Sequence, residues 1–177
     1  MRMIVKGLAA TALLLASPAL ALTKDQIDCP GKTAPASLAP GLIDAVMNGN
    51  TKDSDVEELF SQIDKVATAC ATQTNLPAAQ QSAYITFVLD ILVRDELVRR
   101  LTKAGVPMDA LNAVLGYGPG MPSRAYGDLT DAKVAEIDRA LSAKGFSLAN
   151  APDEVFGLIG IYTGAQDGLV EDLAALD

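Results

Sequence analysis

The sequence predicts an all-α protein, a compact bundle of about five to six helices closed by one intrachain disulfide. Alanine and leucine abound, aromatic residues make up only 5% of the chain and tryptophan is absent, which favours helices over strands. Apolar residues recur at helical spacing between stretches that carry caps, glycines and prolines. The only two cysteines, Cys29 and Cys70, follow a leader of export type.

That leader is MRMIVKGLAATALLLASPALA, residues 1–21. Arg2 and Lys6 give a positive start, Leu8 to Ala16 form an apolar run too short for a bilayer, and Ala19-Leu20-Ala21 supplies the small residues a signal peptidase accepts. Cleavage after Ala21 leaves one helical domain, 22–177, with Leu22 rather than a lipid-bearing cysteine at its front. A periplasmic or secreted protein with a Cys29–Cys70 bridge is expected. The closed loop would stabilise the fold by about 4 kcal/mol in the chain-entropy account.

Residues 22 to 37, LTKDQIDCPGKTAPAS, read as a loop, because Pro30-Gly31 marks a turn and Pro35 interrupts a helix. A short helix from about Ala39 to Met47 is ended by Asn48-Gly49-Asn50. Ser54-Asp55-Val56-Glu57 reads as a capping box with Ser54 as N-cap. Behind it Val56, Leu59, Phe60, Ile63, Val66, Ala67 and Cys70 form one apolar stripe. Pro77 opens the longest element, which runs to Ala104 and is stopped by Gly105. Its centre, Tyr84 to Val93, is apolar almost all round, the pattern of a helix buried on several sides. Its last third carries Asp90/Arg94, Asp95/Arg99 and Glu96/Arg100 at i,i+4. A helix over Met108 to Leu115 leads into the loop GYGPGMPSRAYGD. The next begins at Thr130, with Leu129 and Val134 as a hydrophobic staple, and ends at Gly145. A final helix follows Asn150-Ala151-Pro152.

The chain has no histidine, which removes histidine-based triads, zinc hydrolase sites and phosphohistidine chemistry. No GxSxG elbow and no complete dinucleotide fingerprint occurs; Met121 stands where the third glycine of the latter belongs. Asn48, Asn50, Asp53, Asp55, Glu57 and Glu58 crowd one turn, but their offsets fail the EF-hand test, so acids at a helix N-terminus are the simpler reading, and no metal or cofactor is assigned. Without Arg2 and Lys6, 12 basic residues face 22 acidic ones, a net charge of about −10 that repels nucleic acid. The segment VAEIDRALSAKGF followed by DEVFG resembles part of the repeat of peptidoglycan-binding domains. Glu154 stands where that repeat has its turn glycine, and no family is assigned.

Two features remain as candidate sites. The loop from Gly116 to Gly127 offers Tyr117, Arg124 and Tyr126, residue types enriched where proteins meet partners. In FGLIGIYTGAQDG, Gly157, Gly160, Gly164 and Gly168 share one helix face. That face either packs tightly on the long helix, breaks the segment in two, or forms a homodimer contact; no span across a membrane fits the mature chain. The composite expectation is an exported, non-enzymatic helical binding protein of the cell envelope, its partner a protein or envelope component. A carboxylate-dependent lyase or glycan-cleaving enzyme is the first alternative, favoured by a pocket holding Asp90 or Asp95 beside a desolvated neighbour. A carrier of a small apolar ligand is the second, favoured by a cavity lined by Leu, Ile, Val and Phe.

Overall fold

Breakers set the helix ends. Gly49 and Gly116 stand at the C-caps of two helices with φ of 60° and 75°, a conformation glycine adopts at little cost. The computed structural model describes residues 22–49, 52–117, 122 and 125–177. The expected leader, Asn50 and Arg124 lie outside the described residues. Within them the chain forms seven helices: α1 (Lys24–Thr33), α2 (Leu38–Asn48), α3 (Asp53–Gln73), α4 (Gln81–Lys103), α5 (Met108–Leu115), α6 (Asp131–Ser142) and α7 (Asp153–Leu176). Two single turns of 3-10 helix, Ala78–Gln80 and Leu148–Asn150, lead into α4 and α7. No strand occurs among the described residues. The fold is all-α, with more helices than the five to six expected.

The additional helix is α1, where the sequence reads as a loop. Thr23 and Gln26 make a reciprocal capping box at its start. Pro30 inside the helix has no N–H for the Gln26 carbonyl four residues back. The Tyr84 hydroxyl of α4 donates to that carbonyl instead, at 2.6 Å. A tertiary bond thus replaces the one proline deletes. Burial raises the Tyr84 hydroxyl to about pKa 12, so it remains a donor across the physiological range. The Cys29–Cys70 disulfide, with Cα atoms 5.7 Å apart, fastens α1 to α3.

Two other expectations need correction. Helix α3 begins at Asp53 behind Lys52, with no side-chain cap, and the Ser54 hydroxyl turns to Asp55 Oδ1 instead of closing a capping box. Along the α3 stripe, Ile63, Val66, Ala67 and Cys70 are buried, but Phe60 is 50% exposed. Its neighbour Leu59 still packs against the core, so Phe60 stands at the edge of the buried face.

Helices α4 and α7 form the central antiparallel pair, and each passes through two hydrophobic clusters. The first gathers Cys29, Leu38, Ile63, Val66, Tyr84, Phe87 and Leu169 around the disulfide. The second gathers Leu97, Leu101, Leu111, Leu115, Ile137, Leu141, Leu158 and Tyr162, closed by α5 and α6. Each fully buried leucine or isoleucine contributes about 1.5–3 kcal/mol. Helix α2 lies across the join, contributing Leu42 to the first cluster and Ile43 to the second. It is tied to α4 by Arg100, whose guanidinium donates to Asp44 Oδ1 at 2.7 Å and to buried Glu96 at 2.9 Å. Val93 packs against both clusters and marks the seam between them.

Candidate functional site

The glycine face of α7 has four different surroundings. The helix is continuous from Asp153 to Leu176, so the glycines do not break it. At Gly157 an added Cβ would meet Met47 Cε of α2 at 3.0 Å, and at Gly160 it would touch Leu129 at 4.0 Å. At Gly168 it would collide with Asp90 of α4, lying 2.8 Å from Cγ and closer still to Oδ2. At Gly164 it would meet nothing within 4 Å. Intramolecular packing therefore accounts for Gly157 and Gly168, while Gly164 borders open space.

That space is a cleft of about 300 Å³ at the seam. Leu42, Ile43 and Val46 line it from α2, Phe60 from α3, and Leu89 and Val93 from α4. Ile161, Gly164 and Ala165 complete the wall from α7. Among the described residues the lining is aliphatic and aromatic except for Asp90, its sole titratable side chain. Val46 and Phe60, two of the three large hydrophobic side chains exposed among the described residues, stand on this cleft at 66% and 50% exposure. A concave apolar surface with one placed polar group is the ordinary composition of a small-ligand site.

Asp90 does not stand alone. Directly behind it, Asp172 of α7 is buried at 8% exposure. The Thr86 hydroxyl donates to Asp172 Oδ1 at 2.5 Å, while Asp172 Oδ2 is buried without a hydrogen-bond partner among the described residues, and a proton on Asp90 is the donor that the neighbouring carboxyl can offer Asp172. With that proton the two carboxyls share a hydrogen bond, Asp90 donating and Asp172 accepting. Burial, then the charge and hydrogen bond of Asp172, then the charge of Glu171, push the Asp90 carboxyl up to about 7. Burial likewise raises Asp172, opposed by its bonds from Thr86 and Asp90. One proton held between two carboxyls lets the pair stay buried without two adjacent charges.

The loop candidates are placed differently from expectation. Tyr117 is 4% exposed; its hydroxyl donates to Asp167 Oδ1 at 2.9 Å and its ring meets Tyr162 edge to face. It belongs to the second cluster and offers no surface to a partner. The Tyr126 amide donates to Asp167 Oδ1 and the Gly127 amide to Oδ2, both at 2.6 Å. Lys133 Nζ sits 4.4 Å above the Tyr126 ring and donates to the Tyr126 carbonyl. Tyr117 and Tyr126 are thus drawn together at Asp167 as an internal anchor for the two ends of the loop, which a tyrosine-rich composition alone does not distinguish from a recognition surface.

Sequence reasoning singled out Asp90 but missed Asp172. The available signal was the lone acid within the apolar run Tyr84 to Val93, and an acid four residues after Gly168 on the same face of the last helix. No helix among the described residues is long and apolar enough to cross a membrane. Comparison with protein-family models, curated proteins and solved structures found no match to this chain.

Proposed function

We propose that the protein is an exported, non-enzymatic binding protein for a small, mainly apolar molecule, which it holds in the seam cleft. One observation carries this reading: about 300 Å³ of concave space has an aliphatic and aromatic wall and a single titratable group, Asp90. That volume stands at the lower end of the range for small-ligand sites, so the ligand is compact. Of the three functions weighed from sequence, the apolar carrier is the one this composition supports. A protein partner docking on the 116–127 loop loses support, because Tyr117 is internal. An acid–base enzyme gains the Asp90–Asp172 pair, but among the described residues Asp90 is the only polar side chain lining the cleft, and the neighbours acting on its charge are acids, which do not stabilise a developing negative charge. Export agrees with the disulfide, since such bridges persist in oxidising compartments.

Nuclear magnetic resonance titration of the oxidised 22–177 chain with naphthalene tests the reading. Methyl shifts are expected at Val46, Val93 and Ile161, and Gly164→Leu, which projects a side chain into the open space, should abolish them. Shifts scattered over the surface, or unchanged in Gly164→Leu, would refute it.

A further inference from the structure

From the chemistry of the cleft wall we infer the class of its occupant: an organic ammonium whose apolar body fills the cleft and whose charged nitrogen is received by Asp90. The inference rests on the cleft being a ligand site. Its argument is charge complementarity across an apolar surface. From α4 the cleft receives the Asp90 carboxyl, and from α7 Asp172 stands against Asp90 with Glu171 near enough to act on its charge. The lining residues of α2 and α3, Leu42, Ile43, Val46 and Phe60, carry no charge. The groups that line the cleft or act on the charge of Asp90 are thus acids, while the nearest cation along α4, Arg94, is paired with Asp95 at 2.6 Å.

An anionic head such as a fatty-acid carboxylate would be repelled there, and a neutral alcohol would leave the carboxyl pair unchanged. A hydrated metal ion would bring its water against an aliphatic wall, and no group of three or more metal-ligating acids, cysteines or histidines exists among the described residues. An alkyl or aryl ammonium suits both halves of the site. Its hydrocarbon covers Val46 and Phe60, and its N–H groups make charge-assisted bonds to a carboxylate shielded from water.

Binding then displaces the shared proton. The O–H bond of Asp90 breaks, the proton goes to solvent, and the ammonium, which keeps all its own hydrogens, takes the proton's place against the two carboxylates. Gly164 leaves α7 without a side chain where it borders the cleft.

The test compares octylamine, 1-octanol and octanoate by calorimetry on the oxidised 22–177 chain. At about pH 8 octylamine is expected to bind about tenfold or more tighter than octanol, with octanoate weakest. Repetition in buffers of different ionisation enthalpy should find close to one proton released at about pH 6 and almost none at about pH 9, since Asp90 ionises at about 7. Asp90→Asn, nearly isosteric with the protonated acid, should bring octylamine down to the level of octanol, whereas Asp131→Asn on α6 should keep the preference. Equal affinity for amine and alcohol, a preference that survives Asp90→Asn, or tighter binding of octanoate would overturn the ammonium assignment and leave the apolar cleft standing. Failure of all three to bind, together with no naphthalene shifts, would overturn the cleft reading and this inference with it.

Discussion

The two halves of this molecule are fastened by different means, although α4 and α7 run through both. Around the first cluster the fastening is covalent: Cys29–Cys70 joins α1 to α3. Around the second it is polar: Asp167 on α7 gathers the Tyr117 hydroxyl and the Tyr126 and Gly127 amides. Each half is secured within itself. The seam between them, crossed by α2 and by the central pair, holds the apolar cleft, the one α7 glycine with nothing packed on it and the Asp90–Asp172 pair. A fold secured on both flanks can leave its middle imperfectly packed, which a ligand site requires.

Removing the covalent fastening should have the largest effect. Cys29→Ala with Cys70→Ala is expected to lose about 4 kcal/mol, lowering the melting temperature by about 8–16 °C in a scan without reductant. The polar fastening should rank next. Asp167→Ala is expected to cost about 3 kcal/mol, because the buried Tyr117 hydroxyl and two amides lose their acceptor together. Hydrogen exchange at Tyr126 and Gly127 should accelerate while the amides around Cys70 stay protected. Equal acceleration in both halves would mean that they are one cooperative unit.

At the seam the effects should be smaller and more specific. Gly168→Ala forces Asp90 aside and is expected to cost about 1–3 kcal/mol by denaturant titration. Adding Asp90→Ala should relieve most of that clash, giving a non-additive pair. Asp90→Asn should act chiefly on pH dependence. The folded-state pKa of about 7 lies above the unfolded carboxylate value of 3.8, so between them the folded chain holds the extra proton. Stability therefore falls as pH rises through that window and levels off above about 7, and the variant should flatten the decline in melting temperature from about pH 4 to about pH 8. Gly164→Leu should be the mildest for stability, neutral or better by up to about 1 kcal/mol, since it fills open space on a helix that favours leucine.

Much of the helical order was legible because its signals are local. Helix α5 runs from Met108 to Leu115 as expected, and Thr130 caps α6 as its position ahead of the apolar stripe suggests. Helix α1 was not, because its stability depends on a hydroxyl more than fifty residues away that replaces the bond Pro30 removes. Phe60 followed the period of its helix but lies outside the buried face, although its neighbour Leu59 packs against the first cluster. The bridge was legible because two cysteines allow one pairing. The site was half legible: Asp90 is conspicuous within an apolar run, but its convergence with Asp172 is a property of two helices packed antiparallel and no spacing along one chain encodes it. Tyr117 illustrates the converse, since a residue type common in recognition surfaces serves here, through its buried hydroxyl, to pin one end of a long loop to Asp167.

The N-terminal segment makes the chain's shape conditional on oxidation. A ten-residue helix containing both proline and glycine falls below the length at which isolated helices persist in water, so α1 depends on its staple and on Tyr84. A nascent chain whose thiols are still reduced is expected to carry this segment as a loose strap outside a body already assembled from α2 to α7. Limited trypsin digestion at Lys24 and Lys32, rapid with dithiothreitol and slow without it, would record the moment the strap is buckled.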